Sequence, residues 1–377
     1  MGALSKYLTA MKLVLAANTS WYLWNFRRGL IKAYLTRGDD VILVCPDSEM
    51  TSRLTEMGCE IRYLKMPSKT TNPISDLRIF IGFWTLLAAE RPDVFLAFTI
   101  KPFVYGSIAA RLVGARNIGT VTGLGTAFIH KNWITVVAKF LYRGSGKTME
   151  YVFFQNPSDL DFFVSEKLVA KHKTVLVPGS GVDLERFDKR PMNRSRSLEA
   201  PVFLFIGRIL WDKGLQELVD SARQLKKKIP DAQVQIAGKA DVDNVTAVGE
   251  AQLTKWIQEG VVEYLGFQED PRTLIENADC IVLPSYREGL PRSLLEGAAM
   301  GRPLLASDCV GCTEIVVDGV NGFIFRKKSA QSLLEAMERF IALSFSERQQ
   351  FGNAARTLAE KNFDQKMVFD RYLAMTV

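Results

Sequence analysis

The chain has 377 residues, 47% of them hydrophobic and 24% charged, with 27 glycines and 14 prolines. That composition excludes disordered, collagen-like and disulfide-dense classes, and five cysteines without a regular ladder of spacings fit a reduced compartment. The formal net charge is +7, and the excess lies in residues 1–190, where 25 Lys and Arg face 16 Asp and Glu; such a half expects an anionic partner, whether nucleic acid, phosphorylated substrate or acidic membrane surface.

At about 150 residues per domain the length predicts two domains. Residues 1–10 carry one Lys and no apolar core with a cleavage site, so no secretory leader is expected. No run approaches the ~18 apolar residues that span a bilayer, the longest candidate being Ile79 to Ala89. From the N-terminus, Lys12 to Ala17 reads as a strand, and a helical stretch near Asn25 to Arg37 ends at Gly38. Val41 to Cys45, Glu60 to Leu64, Val94 to Phe98, Asn117 to Thr122 and Val152 to Gln155 continue the strands, with helices at Asp76 to Glu90 and Phe103 to Leu112 between them. Short apolar runs alternating with helices predict parallel strands joined by crossovers.

A polar stretch without periodicity, Asp188 to Ala200, reads as a join near residues 190/191. The pattern then restarts with a strand at Val202 to Gly207 and a helix at Leu215 to Lys227. Further strands are expected at Gln233 to Ala237, Val262 to Leu265, Cys280 to Pro284 and Pro303 to Ser307. The fold class is therefore α/β, with two doubly wound, Rossmann-like domains at residues 1–190 and 191–377, the last helix being a candidate to pack back on the N-terminal domain. Ligands of such sheets bind at the carboxyl ends of the strands, so a central cleft faced by both domains is the expected site.

Two motifs carry chemistry. Gly207-Arg208-Ile209-Leu210-Trp211-Asp212-Lys213-Gly214 lies where a strand leaves its sheet and a helix begins. Gly207 permits a close turn, and Arg208 and Lys213 place two cations beside a helix start, which suits a diphosphate. A surface loop with two solvated charges would read the same from placement alone. Glu288-Gly289-Leu290-Pro291-Arg292-Ser293-Leu294-Leu295-Glu296 follows a buried strand, with Pro291 at the first helical position. The amides of Leu290, Arg292 and Ser293 are then free for phosphate oxygens, and Glu288 and Glu296 are acceptors for sugar hydroxyls. A capping acid and a solvent-facing acid remain an alternative for those two glutamates.

Together, Gly-Arg-x4-Lys-Gly and then Glu-x7-Glu about 75 positions later resemble the family 4 retaining glycosyltransferases of GT-B fold. Val177-Pro178-Gly179-Ser180-Gly181-Val182-Asp183 is similar to that family's interdomain segment. Ala237-Gly238 and Leu265-Gly266-Phe267 resemble its nucleotide-base loops. Thr99-Ile100-Lys101-Pro102, Thr122-Gly123-Leu124-Gly125 and Asp308-Cys309-Val310-Gly311-Cys312 resemble a narrower group, bacterial enzymes that add hexosamines, often N-acetylgalactosamine, to sugars on undecaprenyl diphosphate. The resemblance implies that Arg208 and Lys213 neutralise the diphosphate of a UDP-sugar, that Glu296 holds the ribose and that Glu288 holds the transferred sugar. It also implies that Gly207, Phe267, Gly289, Leu290, Pro291 and Arg292 line the donor, and that anomeric configuration is retained without a metal or cofactor.

The resemblance is incomplete on the acceptor side. Asn18-Thr19-Ser20 stands where many relatives carry paired glycines, and Thr99-Ile100-Lys101 where many carry a histidine. Asn18, Lys101, Gly125 and His130 are the acceptor-side candidates, with Lys101 and His130 near an acceptor diphosphate; His130 reads equally as a surface residue. Lys131 to Lys147 mixes apolar and basic residues as interfacial helices do, and Arg27, Arg28, Lys32 and Arg37 are expected to join it on an anionic inner-membrane face. A core helix with a solvated face is the alternative for that segment. Gly144-Ser145-Gly146-Lys147-Thr148 fails as a P-loop because Leu141 occupies the first glycine position, Gly123-Leu124-Gly125 lacks the third glycine of a dinucleotide fingerprint, and Cys309 and Cys312 lack partners for a zinc site. The same transferase with a soluble acceptor, and a polyanion-binding module, are the alternative functions.

Overall fold

Strands covered on both faces have no reason to alternate apolar and polar residues, and they read as continuous apolar runs. In the computed structural model, which describes residues 10–67, 72–123, 133–193, 198, 200–240 and 244–377, such runs build two separate parallel sheets. The chain divides into unit 1, Met1–Ser180 with Lys366–Val377, and unit 2, Gly181–Gln365.

Unit 1 holds β1 (Lys12–Ala16), β2 (Asp40–Cys45), β3 (Glu60–Tyr63), β4 (Val94–Phe98), β5 (Arg116–Val121), β6 (Tyr151–Phe154) and β7 (Thr174–Leu176), in the spatial order β3-β2-β1-β4-β5-β6-β7. Its helices are α1 (Arg28–Arg37), α2 (Met50–Glu56), α3 (Pro73–Glu90), α4 (Ser107–Leu112), α5 (Trp133–Thr148) and α6 (Pro157–Ser165). The period of two sorts each strand between two layers. Val14, Ala16, Phe95 and Ala97 pack with Ile79, Phe83 and Leu87 of α3 and Tyr142 of α5. Leu13, Leu15, Leu96 and Phe98 pack on the other face with Leu30 and Tyr34 of α1.

Two wider π turns, Leu23–Arg27 and Pro102–Gly106, precede α1 and α4, and the first helical segment begins at Ser20 rather than Asn25. Thr19 caps it by accepting from the Tyr22 amide at 3.1 Å.

Unit 2 holds β8 (Val202–Ile206), β9 (Gln233–Ala237), β10 (Glu263–Tyr264), β11 (Cys280–Leu283), β12 (Leu304–Ser307) and β13 (Gly322–Phe325), ordered β10-β9-β8-β11-β12-β13. Its helices are α7 (Leu215–Lys228), α8 (Glu250–Gln258), α9 (Arg272–Asn277), α10 (Arg292–Ala299), α11 (Ala330–Ala342) and α12 (Phe345–Asn362). The last helix, α13 (Gln365–Met375), returns to unit 1, where Tyr372 stacks on Phe153 at 4.0 Å and shares a 2.7 Å hydrogen bond with Thr120. β13, α11 and α12 lie beyond the elements located from sequence.

The stretch around residue 190, expected to be the join, lies inside unit 2. Buried Arg302 donates to the carbonyls of Arg190 and Pro191 at 3.2 and 3.1 Å, and Arg356 donates to Phe187 at 2.9 Å. A coil pinned through its carbonyls has no periodicity, which is why it reads as a linker. The chain passes between units at Ser180/Gly181, where Val182 pairs with Asp364.

Arg27 corrects another expectation. Its side chain is 1% exposed, donates to Tyr22 Oη at 2.9 Å and lies 4.4 Å over the Phe98 ring, so it cannot meet a lipid headgroup. Arg37 is paired with Asp39 at 2.7 Å. Both belong to the sheet face opposite α5, so the basic residues of α1 do not extend the α5 surface. Among the described residues no helix is long and apolar enough to cross a membrane.

Candidate functional site

In an open parallel sheet the strand order reverses at one point, and the loops leaving the two strands there diverge to open a crevice. In unit 2 that point lies between β8 and β11, which pair directly. The loop after β8 carries Arg208 and Lys213, and the loop after β11 carries Glu288. Topology thus brings together residues about 75 positions apart.

Backbone packing sets the loop after β8. Gly207 donates its amide to the Ala237 carbonyl at 3.0 Å, and Gly238 donates to Gly266 at 2.8 Å. A Cβ on Gly238 would stand 1.7 Å from the Gly207 carbonyl oxygen, so the strand ends approach as only glycine allows. A single turn of 3₁₀ helix, Trp211–Lys213, leads to Gly214 at φ +71, where a Cβ would lie 2.1 Å from the Pro284 carbonyl oxygen. That contact presses the end of the first motif against the end of β11.

Three ties then hold the two loops together. Tyr286 donates its amide to the Asp212 carbonyl at 2.9 Å, and its hydroxyl to Glu217 on α7 at 2.8 Å. The Lys213 ammonium forms an ion pair with Glu288. Burial, and then Glu217, hold the Tyr286 phenol above its ordinary pKa, so it donates at neutral pH. Behind Glu288, its amide donates to the Val310 carbonyl at 3.1 Å, and Gly311 at φ +85 passes so close that a Cβ would meet the Gly289 oxygen at 2.5 Å. The segment after β12 is therefore a backstop for the glutamate loop.

Arg208 is exposed and forms no side-chain hydrogen bond or ion pair with the described residues. Lys213, on the same loop, is neutralised by Glu288. Pro291 is buried but adopts ψ 120, so it precedes the first helical residue instead of occupying it; α10 starts at Arg292. Within α10, Arg292 pairs with Glu296 at 2.6 Å. Burial raises the Glu296 pKa, opposed by Arg292 and Arg186. Phe267 follows Gly266 at φ +70 and is half exposed at the β10 end of the same edge. Leu290 is half-buried between Gly289 and Pro291.

Cys309 and Cys312 are buried free thiols, and no group of three or more His, Cys, Asp or Glu able to hold a metal exists among the described residues. Interaction with Cys312 outweighs burial and, with Ser307 nearby, brings the Cys309 pKa down to about 7, while the same interaction and burial hold Cys312 well above its ordinary value.

In unit 1 the reversal lies between β1 and β4. There the Asn18 amide donates to Thr99 Oγ1 at 3.0 Å, joining the two loops. Thr99 has φ +71, a costly conformation for a β-branched residue. Lys101 is buried, ion-paired with Asp76 and 5.5 Å over the Tyr105 ring. An internal carboxylate thus holds the ammonium expected to meet a diphosphate. Gly125 and His130 lie outside the described residues. Sequence reading missed Asp76, Tyr286 and Glu217. Asp76 had one faint signal, as an acid in the first turn of an otherwise apolar helix.

Residues 188–358 match the family described as glycosyl transferases group 1, and residues 12–156 match glycosyl transferase 4-like. The chain is 28% identical over 369 residues to the N,N'-diacetylbacillosaminyl-diphospho-undecaprenol alpha-1,3-N-acetylgalactosaminyltransferase of Campylobacter jejuni, covering 94% of this chain and 95% of that one. It is 24% identical to the UDP-Gal:alpha-D-GlcNAc-diphosphoundecaprenol alpha-1,3-galactosyltransferase of Escherichia coli, covering 80% and 79%. Among solved structures, Anabaena HepE in complex with UDP and glucose superposes with a TM-score of 0.80 at 20% identity, over 97% of this chain and 99% of that one. Sucrose-phosphate synthase from Thermosynechococcus elongatus superposes with a TM-score of 0.79 at 16% identity, covering 97% and 98%.

Proposed function

Because the chain belongs to the GT-B glycosyltransferases, its first half glycosyl transferase 4-like and its second half of group 1, we propose that it moves a hexosamine from a UDP-sugar to an undecaprenyl-diphosphate-linked saccharide. The donor is UDP-N-acetylgalactosamine, and an alpha linkage forms with retention. The observation that carries this reading is the ion pair of Lys213 with Glu288 at the β8/β11 reversal, with exposed Arg208 on the same loop as Lys213. The names of both relatives support the lipid-linked acceptor, and that of the Campylobacter jejuni enzyme supports the hexosamine.

Transfer breaks the bond between the sugar's anomeric carbon and the diphosphate, and negative charge grows on the leaving group. Arg208 supplies an exposed fork and Lys213 a point charge for that oxygen cluster. Cations already in place stabilise the growing charge more than the starting ester, which is where catalytic binding acts. No metal ion is required by that scheme. Glu288, pinned from behind by Val310 and Gly311, receives the hydroxyls of the transferred sugar. Glu296, at the first turns of α10, receives the ribose, and Phe267 stacks on the base. Gly289, Leu290, Pro291 and Arg292 line the approach to the α10 amides. Asn18 and Lys101 stand on the acceptor side, with Lys101 acting through Asp76. The enzyme works as a peripheral protein on the inner face of the cell membrane.

A panel of nucleotide sugars tests the donor assignment by hydrolysis and by protection against melting. UDP-N-acetylgalactosamine is expected to give the largest shift and turnover. Equal response to all nucleotide sugars, or none to any UDP-sugar, would remove it. Transfer to a short-chain polyprenyl-diphosphate saccharide in detergent tests the acceptor, and transfer to a free sugar phosphate alone would favour a soluble substrate.

A further inference from the structure

Two cysteines three residues apart can meet when the chain between them makes one tight turn. Cys309-Val310-Gly311-Cys312 is such a turn: the Cys312 amide donates to the Cys309 carbonyl at 3.1 Å, and Gly311 holds the third position at φ +85. The ends of a β-turn lie within about 7 Å of each other at Cα, and a disulfide spans roughly 4.4–6.8 Å between Cα atoms, so a bond between the ends fits this turn. The two thiols interact directly, and both are buried, Cys309 1% and Cys312 0% exposed. No other two of the five cysteines are so spaced. Burial holds the remaining thiols up, Cys45 to about 12, Cys59 to about 11 and Cys280 well above its ordinary value, whereas Cys309 is brought down to about 7. Cys309 is therefore the cysteine with a large thiolate fraction at neutral pH.

The middle of this turn is what the glutamate loop rests on. The Val310 carbonyl accepts from the Glu288 amide at 3.1 Å, and a Cβ on Gly311 would lie 2.5 Å from the Gly289 oxygen and 2.9 Å from the Glu288 oxygen. Both flanks of the turn are fixed. Ahead of it, Asp308 donates its amide to the Phe325 carbonyl of β13 at 2.8 Å, and its carboxylate accepts from the Lys327 amide at 2.8 Å. Behind it, the amides of buried Ile315 and Val316 both donate to the Cys312 carbonyl at 3.0 Å. A disulfide draws its two Cβ atoms to about 3.8 Å. With the flanks held, that contraction falls on Val310 and Gly311.

We propose that Cys309 and Cys312 are a reversible oxidation site: a hydroperoxide oxidises Cys309, Cys312 closes a disulfide across the turn, and the contracted turn releases the Glu288 loop. Neither thiol reaches the surface, so the oxidant is a small one that enters when the glutamate loop lifts. The Cys309 thiolate attacks one peroxide oxygen, the O–O bond breaks, and the distal oxygen leaves and is protonated, leaving a sulfenic acid. The Cys312 sulfur then attacks the Cys309 sulfur. The S–S bond forms, the S–O bond breaks, and the second oxygen leaves as water with the Cys312 proton. The pair gives up two electrons and two thiol hydrogens, and hydrogen peroxide is reduced to two waters. An external dithiol reverses the step. The effect on turnover rests on the donor-site reading above; the disulfide itself does not.

The test exposes the full, reduced chain to hydrogen peroxide and maps its cysteines by alkylation and peptide mass. A Cys309–Cys312 disulfide is expected, with UDP-sugar hydrolysis reduced by about tenfold or more and restored by dithiothreitol. Amide hydrogen exchange in the peptide carrying Glu288 should rise on oxidation, a readout that needs no substrate. In Cys312→Ser the reaction should stop at a sulfenic acid on Cys309, captured by dimedone. In Cys309→Ser, peroxide should change neither hydrolysis nor exchange relative to that variant's own untreated form. A folded parent that forms no such disulfide overturns the proposal. So does a disulfide that leaves hydrolysis or the exchange at Glu288 unmoved, or a Cys309→Ser variant as sensitive to peroxide as the parent. A parent that hydrolyses no UDP-sugar before oxidation defeats the transferase reading instead, and the disulfide and exchange results still decide this proposal.

Discussion

At the carboxyl edge of unit 2 one cation is left facing outward. Arg208 has no partner among the described residues, and Lys213 and Glu288 hold only each other, 20% and 13% exposed. At the matching edge of unit 1 the polar groups are turned inward. Lys101 is consumed by Asp76, and the Asn18 amide by a strained Thr99. The same doubly wound topology thus carries a part-buried lysine–carboxylate pair at both edges, and among the described residues unit 2 adds the exposed guanidinium of Arg208. A small, doubly charged donor needs fixed charges placed in advance.

The sharpest way to break this contrast is to remove the cation of unit 2. Lys213→Ala should lower kcat/KM for nucleotide-sugar turnover by about 100-fold or more. Steady-state kinetics close to the parent would put the two edges on an equal footing. Glu288→Gln should follow, with turnover reduced by about tenfold or more and an unchanged melting temperature. A variant that melts normally and turns over normally would return Glu288 to the role of a partner for Lys213.

The loop ties sharpen the contrast further. Tyr286→Phe removes the hydroxyl that anchors the glutamate loop to Glu217, and about a tenfold loss in kcat is expected with KM little changed. Glu217→Gln added to it should cost little more, since both act through one hydrogen bond. Full additivity in that cycle would show that the two residues act separately.

Much of this was legible in the chain itself, for physical reasons. Val94 to Phe98 and Cys280 to Leu283 read as strands because both faces are buried. The Gly-Arg-x4-Lys-Gly and Glu-x7-Glu motifs were visible because their glycines and charges have no structural substitute at those strand ends. Pairings between remote side chains were not visible. Nothing in Lys101 or Asp76 announces that the two meet, and nothing in Arg27 announces three aromatic neighbours instead of solvent. Backbone ties such as Tyr286 to Asp212 leave no side-chain trace at all. The stretch around residue 190 misled because a coil pinned by arginines through its carbonyls has the composition of a free linker.

Smaller effects concern pH and the unit 1 edge. Burial raises the Glu296 pKa, so the native state keeps that proton to higher pH than the unfolded chain does. The residue's contribution to stability therefore falls as pH rises from the ordinary glutamate range through the raised value, while donor affinity grows as the carboxylate forms. Glu296→Gln should flatten both slopes in melting and binding titrations across that window; unchanged slopes would assign them elsewhere. Lys101→Met should leave UDP-sugar hydrolysis within about twofold of the parent while lowering the melting temperature, because it strands a partly buried Asp76. A large loss of hydrolysis without destabilisation would mean that the unit 1 edge serves the donor after all.

Calorimetric titration of UDP into the parent and into an Arg208→Ala, Lys213→Ala variant tests the central claim most directly. Affinity is expected to fall by about 100-fold, with the parent's melting curve kept, since two charge-assisted contacts to the diphosphate are lost. A folded variant that binds UDP as tightly as the parent would contradict the placement of the donor diphosphate at the carboxyl edge of unit 2.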